Sequence, residues 1–141
     1  MNHIKAGDEI PNGELLYRYV LPERLVLPEG QTILPTNFFG DSDLSCDWQR
    51  YCPNPSLACQ HVQLHKTIVI AIEVCDEIRN PTNPNNSGRV EVAWRQEILY
   101  DPVNDTSIPC GINLAHSVIR GKKKLAVKEA IANHSRIVLL P

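Results

Sequence analysis

Proline sets the first constraint on this chain. Eleven prolines fall among its 141 residues, most of them in the first 110. Each fixes φ and removes a backbone donor, so no long helix can run through closely spaced prolines. Between Pro22 and Pro35 the sequence predicts only extended segments and turns. The elements that fit between prolines are short. "ELLYRYV" at 14–20 and "DLSCDW" at 43–48 predict strands. The β-branched run "KTIVIAIEV" predicts a central strand buried on both faces. "PNPSLACQHVQLH" predicts a short helix capped by Asn54 or Ser56, and "CDEIRN" a helical turn ending at Pro81. "NPTNPNNSG" at 80–88 and "NDTSIPCGIN" are loops by composition. "RVEVAW" alternates cleanly and predicts a strand, and "EILYDPV" another that Pro102 stops.

Residues 110–140 contain no proline, and the last part of the chain reads most clearly. "AHSVI" predicts a strand, Arg120–Gly121 a turn, and "KKKLAVKEAIANH" a helix. Val127, Ala130, Ile131 and the stem of His134 fall at i, i+3, i+4 and i+7 on one face of it. "SRIVLLP" predicts the final strand. The expected fold is α+β: one compact domain over 14–141, a mixed sheet of about five strands and two main helices, near 56–64 and 123–134. Residues 1–13 are expected to form a flexible lead-in.

Charge excludes some functions. Net charge is −2, so no global field draws the chain to nucleic acid or an anionic membrane. The longest strongly apolar run, Thr67 to Val74, is interrupted by Glu73 and falls far short of the ~20 residues a spanning helix needs. The first sixteen residues contain no apolar signal core, and five cysteines is an odd number. A cytoplasmic protein with reduced thiols and no disulfide framework is expected.

Residues 46–65, "CDWQRYCPNPSLACQHVQLH", gather three cysteines and two histidines in the spacing C-x5-C-x6-C-x-H-x3-H. His61 and His65 would share one face of a helix, which favours a metal. Against it, no C-x2-C pair occurs, and Cys59 and His61 point to different sides of a helix. Cys59 also sits among apolar residues, where a thiol behaves as a small core side chain. No cofactor is expected; the alternative is zinc on Cys52, Cys59, His61 and His65.

"NLAHSVIRGKKKLAVKEA" offers a different chemistry. A strand carrying His116 leads to Arg120, Gly121 and then Lys122, Lys123 and Lys124 at the start of a helix. Free N–H groups at a helix start favour an anion, and glycine permits close backbone approach. Lysines there oppose the helix dipole, so helix stability does not account for them. A phosphate-bearing ligand is the natural guest, although a solvated lysine face would look the same. His116 could also serve as a general acid or base near neutral pH, with Asp47, Asp101 or Glu73 as partner. Walker A, G-x-S-x-G and H-E-x-x-H are all absent.

Taken in order, "GELLYRYV", "LSCDW" and "NLAHSVIRGKKKLAVKEAIANHSRIVLLP" resemble a family of small uncharacterised prokaryotic proteins. Members open on a Leu-Tyr-Arg-like strand, continue with an "LSVD" segment and end on "NPAH…V.GKK" before a C-terminal helix. The likeness covers nearly the whole chain and implies an outline without an activity. Cys46 stands where that pattern has valine, and Tyr100 where it often has histidine, so a two-histidine site would be incomplete here. A weaker similarity is to RES-type and ADP-ribosyltransferase-like toxins, whose Leu-Tyr-Arg strand implies an NAD-holding role for Arg18.

The leading expectation is therefore a small cytosolic interaction or accessory protein, plausibly of a prokaryotic defence or toxin-type system. Its contact site would be the corner of His116, Arg120, Gly121 and Lys122 to Lys124. The partner would be a phosphate-bearing ligand or an acidic protein surface, with nucleic acid less favoured and no membrane. The competing expectation is an enzyme acting on a nucleotide or NAD through Arg18, Asp47 and His116. An enzyme needs those three in one concave pocket. An interaction protein would scatter them and show an exposed apolar patch.

Overall fold

The computed structural model describes residues 4–20, 39–58, 68–105, 107 and 112–139. Its centre is a six-stranded sheet. The strands are β1 (Leu15–Val20), β2 (Asp43–Trp48), β3 (Ile68–Glu73), β6 (Glu97–Tyr100), β9 (His116–Arg120) and β10 (Ser135–Leu139). Their order across the sheet is β10-β3-β1-β2-β9-β6. Two small two-stranded ribbons, β4 (Thr82–Asn83) with β5 (Arg89–Val90) and β7 (Val103–Asn104) with β8 (Ile112–Asn113), are separate from it. The helices are α1 (Asp76–Arg79) and α2 (Leu125–Asn133). The domain is α+β.

β3 shows why these residues make a sheet. Its first five residues, Ile68 to Ala71 and Ile72, are all buried, as expected for a β-branched run covered on both faces. Even-numbered side chains of β1, β2 and β3 (Leu16, Val20, Leu44, Trp48, Ile70 and Ile72) enter the larger core, where Val127 and Ile131 of α2 and Ile78 of α1 meet them. Tyr17, Val69 and Ala71 face the other way, with Ala58, Cys52 and Leu139. Strand periodicity of two produces this division. α2 connects strands that lie four spacings apart in the sheet, about 19 Å at ~4.8 Å each. A nine-residue helix of about 13 Å with its flanking residues spans that gap over the core face.

Several expectations change. Each sheet pairing among the described residues is antiparallel, not mixed. Of the helix predicted near 56–64, the described residues show a 3-10 turn over Pro55–Leu57 with Asn54 as cap, and the span beyond Ala58 lies outside the described residues. So do the extended segments expected over 22–35. "RVEVAW" is a strand for two residues only and then a 3-10 turn, Val92–Trp94. Among the described residues β5 pairs with β4 alone, and Val90 and Val92 stay exposed. The lead-in is also part of the domain. Gly7 N–H donates to Tyr100 and Ile10 N–H to Ile98, and the Ile10 side chain is fully buried. Residues 7–10 thus cover the outer edge of β6, which an open sheet would otherwise expose. Among the described residues no helix is long and apolar enough to cross a membrane.

Candidate functional site

Register decides which candidate residues meet. Tyr17 of β1 faces Asp47 of β2, and Asp47 faces His116 of β9. Directly paired residues share a face, so Asp47 and His116 are neighbours. Arg18, one position further along β1, pairs with Ile70 and turns to the opposite, helix-covered face. There one Nη donates to the Ser45 carbonyl at 2.9 Å, and the other lies 3.7 Å from Asp41. Its guanidinium packs 4.6 Å from the Tyr19 ring centroid. The three proposed catalytic residues therefore do not converge on one pocket. This corrects the expectation for the enzyme, since a sheet separates Arg18 from the other two.

His116 is held by its own partner. Nδ1 lies 2.8 Å from the Asp101 carbonyl and 3.3 Å from a carboxylate oxygen of the same residue. Asp47 is 2% exposed, and its Oδ1 accepts from Asn113 Nδ2 at 2.7 Å. The Asn113 Oδ1 already accepts from Ala115 N–H at 3.1 Å, which fixes the amide with its donor toward Asp47. Asn113 thus presents Asp47 only with N–H, the arrangement a carboxylate needs.

Asp47 is one of the residues that line a pocket at the C-terminal end of β2, about 270 Å3 in volume. Its walls come from two stretches distant in sequence. Tyr51, Cys52, Pro53 and Leu57 follow β2, and Ile112, Leu114 and Ala115 precede β9. Tyr51 is placed by stacking on Tyr100, with centroids 5.1 Å apart, and by an edge contact with Trp48 at 5.3 Å. Tyr100 is anchored through its hydroxyl, which donates to the Leu114 carbonyl at 2.7 Å. Burial pushes the Tyr100 phenol up, so it remains a donor at neutral pH. Leu57 (66%), Ile112 (65%), Leu114 (61%) and Tyr51 (44%) are exposed around the rim. The Cys52 thiol is pushed up by burial and by the Asp47 carboxylate.

The zinc alternative falls mostly elsewhere. Cys59, His61 and His65 lie outside the described residues, and Cys52 Sγ donates to the Asn54 carbonyl at 3.5 Å. Among the described residues no group of three or more histidine, cysteine or acidic side chains is placed to hold a metal.

The lysine corner has a structural occupation. Arg120 Nε donates to Asp43 at 2.9 Å. Lys123 Nζ donates to three carbonyls, those of Ser42, Ile119 and Gly121, at 3.2, 2.9 and 3.0 Å. Gln96, buried beside them, donates to the Trp94 and Lys122 carbonyls at 2.9 and 2.8 Å. The lysines do not form the first helical turn: Lys124 is the N-cap and the helix begins at Leu125. Lys122 and Lys124 are exposed. His116 stands at the far end of β9 from this corner, four residues or about 13 Å away. The anion site expected from His116, Arg120, Gly121 and the lysines is thus divided, with Arg120 and Lys123 joining the start of β2 to the turn that leads into α2.

Burial draws Lys123 down to about 8, while its three carbonyl acceptors favour the ammonium. The folded chain therefore releases this proton at lower pH than the unfolded chain. Its contribution is fully present above the unfolded value of 10.5 and is lost as pH falls through about 8. Urea unfolding between pH 7.5 and 10.5 should show wild type gaining stability with pH relative to Lys123→Met. Parallel curves for the two proteins would contradict the assignment. The comparison must be a difference, because Cys46, pushed up to about 12 by burial, acts in the opposite direction over part of this range.

Sequence reasoning named Asp47 and His116 but missed Tyr51, Asn113 and Gln96. The available signal was apolar residues inside loop-like sequence, "PNPSL" and "GINL", where a buried role has no regular element to serve. Comparison with known proteins finds no matching family model, no matching curated protein and no matching solved structure.

Proposed function

We propose that this chain is a small interaction protein that docks a partner polypeptide on the face around the Asp47 pocket. One observation carries the reading. Of the seven large apolar side chains exposed among the described residues, four (Tyr51, Leu57, Ile112 and Leu114) border that single pocket. Scattered exposed apolar residues need no explanation, but a cluster around a concave site is the pattern of a binding surface. The ring contacts of Tyr51 hold one of the four in place before any partner arrives, which lowers the ordering cost of association.

The earlier choice, the lysine corner, makes the opposing prediction. A photo-crosslinking amino acid placed at Leu114 should trap a discrete adduct in the cells that produce the protein, and one at Lys122 should not. Adducts only from Lys122 would reverse the assignment. Leu57→Asp and Leu114→Asp should remove the Leu114-type adduct while changing stability by less than about 0.5 kcal/mol, since both side chains are exposed.

A further inference from the structure

We infer that Asn12 is a site of self-modification, an asparagine that deamidates without an enzyme and that the folded chain holds latent. Of the chain's asparagines, only Asn12 precedes glycine. Glycine favours this chemistry because it puts no side chain beside the backbone nitrogen that attacks. In alkaline water the Gly13 amide nitrogen gives up its proton to solvent and attacks the Asn12 side-chain carbonyl carbon, Cγ. A bond from that nitrogen to Cγ forms, the Cγ–Nδ2 bond breaks, and Nδ2 leaves as ammonia with a proton from solvent. Water then opens the five-membered imide at either carbonyl, giving aspartate or isoaspartate. Nothing is oxidised or reduced.

The fold exposes these two residues and yet ties both reacting groups. Asn12 and Gly13 are exposed in the turn from Pro11 to Glu14, where Glu14 N–H donates to the Pro11 carbonyl at 3.4 Å. Gly13 has φ +91, and nothing lies within 4 Å of the position a Cβ would take. The attacking nitrogen donates its N–H to the Val74 carbonyl at 2.8 Å. The carbonyl under attack accepts from Arg79 Nε at 2.9 Å through Oδ1. Val74 follows β3 and Arg79 ends α1, so two separate elements fix the nitrogen and Cγ. Ring closure requires the turn to open, and its rate follows the population of that local opening. The reaction therefore records how often this part of the N-terminal segment leaves the domain.

The product suits its neighbour. Arg79 has no ion pair among the described residues, and its Nη1 is buried without a hydrogen-bond partner among them. A carboxylate at position 12 turns the Nε contact into one between opposite charges, which is the stronger kind.

Peptide mapping by mass spectrometry tests this on the full chain held in mildly alkaline buffer. In urea that unfolds the chain, Asn12 should deamidate before any other asparagine; a different first site would overturn the assignment. In the folded chain Asn12 should react at least tenfold more slowly than in urea, a comparison that needs no variant. Equal rates would overturn the latency. Arg79→Met removes one tether, so its folded-state rate should rise at least threefold while its rate in urea stays that of wild type. A folded-state rate that is unchanged or slower would overturn the part given to Arg79. Asn12→Asp carries the product in normal linkage, and its thermal midpoint should equal or exceed that of wild type. A lower midpoint would contradict the pairing with Arg79.

Discussion

Trp48→Ala should destabilise the domain by about 3–5 kcal/mol, the range for removing a large aromatic side chain from a core. Trp48 is fully buried and packs against both the turn after β2 and strand β6. It meets Tyr51 and Tyr100 edge-on, with centroids at 5.3 and 5.5 Å, and Arg50 packs 4.7 Å from its ring centroid. Against a total stability of about 5–15 kcal/mol for a domain of this kind, that loss would leave a substantial unfolded population in many conditions. The site should suffer as well, because Tyr51 loses one of its two ring contacts. Trp48→Phe should cost much less. It keeps most of the packing, and the indole N–H it deletes finds no hydrogen-bond partner among the described residues. Urea midpoints and near-ultraviolet circular dichroism would measure both variants. A loss under about 1 kcal/mol for Trp48→Ala would mean that the aromatic cluster is not the close-packed unit described.

Gly121→Ala is the second large effect, at about 2–6 kcal/mol. Two costs combine, backbone strain of roughly 1–3 kcal/mol and overpacking of roughly 1–3 kcal/mol. Gly121 has φ +152, and a Cβ there would lie 2.6 Å from Gln96 Nε2 and 2.7 Å from the Arg95 carbonyl oxygen. Gln96 can shift, at the expense of its bonds to the Trp94 and Lys122 carbonyls, but the Arg95 backbone cannot move so readily. A double-mutant cycle separates the contributions. In a Gln96→Ala background the added cost of Gly121→Ala should fall but not vanish, because the carbonyl contact and the strain persist. Equal costs in both backgrounds would show that Gln96 does not fill the space beside Gly121. The role found for this glycine is close packing at the end of β9, whereas the sequence suggested close approach to an anion.

Much of the fold was legible because local pattern and burial agreed. "TIVIAI" could satisfy its β-branched side chains only inside a sheet, and Val127 with Ile131 mark the buried stripe of α2. Failures occurred where tertiary partners overrule the pattern. Residues 89–94 alternate like a strand, yet period two needs a neighbouring edge and a face to bury, and β4 supplies neither at sufficient length. Ile10, amid Gly7, Pro11 and Gly13, resembled a loop residue until β6 gave it a partner. The candidate site was less legible still. Both sides of β1 are apolar, so nothing in "LLYRYV" reveals that Arg18 and the residues paired with Asp47 face apart. Tyr51 and Leu57 meet Ile112 and Leu114 only because β2 lies beside β9.

That last pairing also governs the order in which the molecule can assemble. Cys46 and Ser117 are 71 positions apart, and Asp43 and Arg120 are 77 apart. Sheets joined over such separations fold slowly, since loop-closure entropy is spent before the contacts that repay it. During synthesis at ~5–20 residues per second, β2 would wait roughly 4–14 s for β9 to be made. Throughout that interval one side of β2 is an open edge and half of the pocket does not exist. The surface proposed for docking is therefore a property of the finished chain, and a ribosome-bound intermediate carries only half of it.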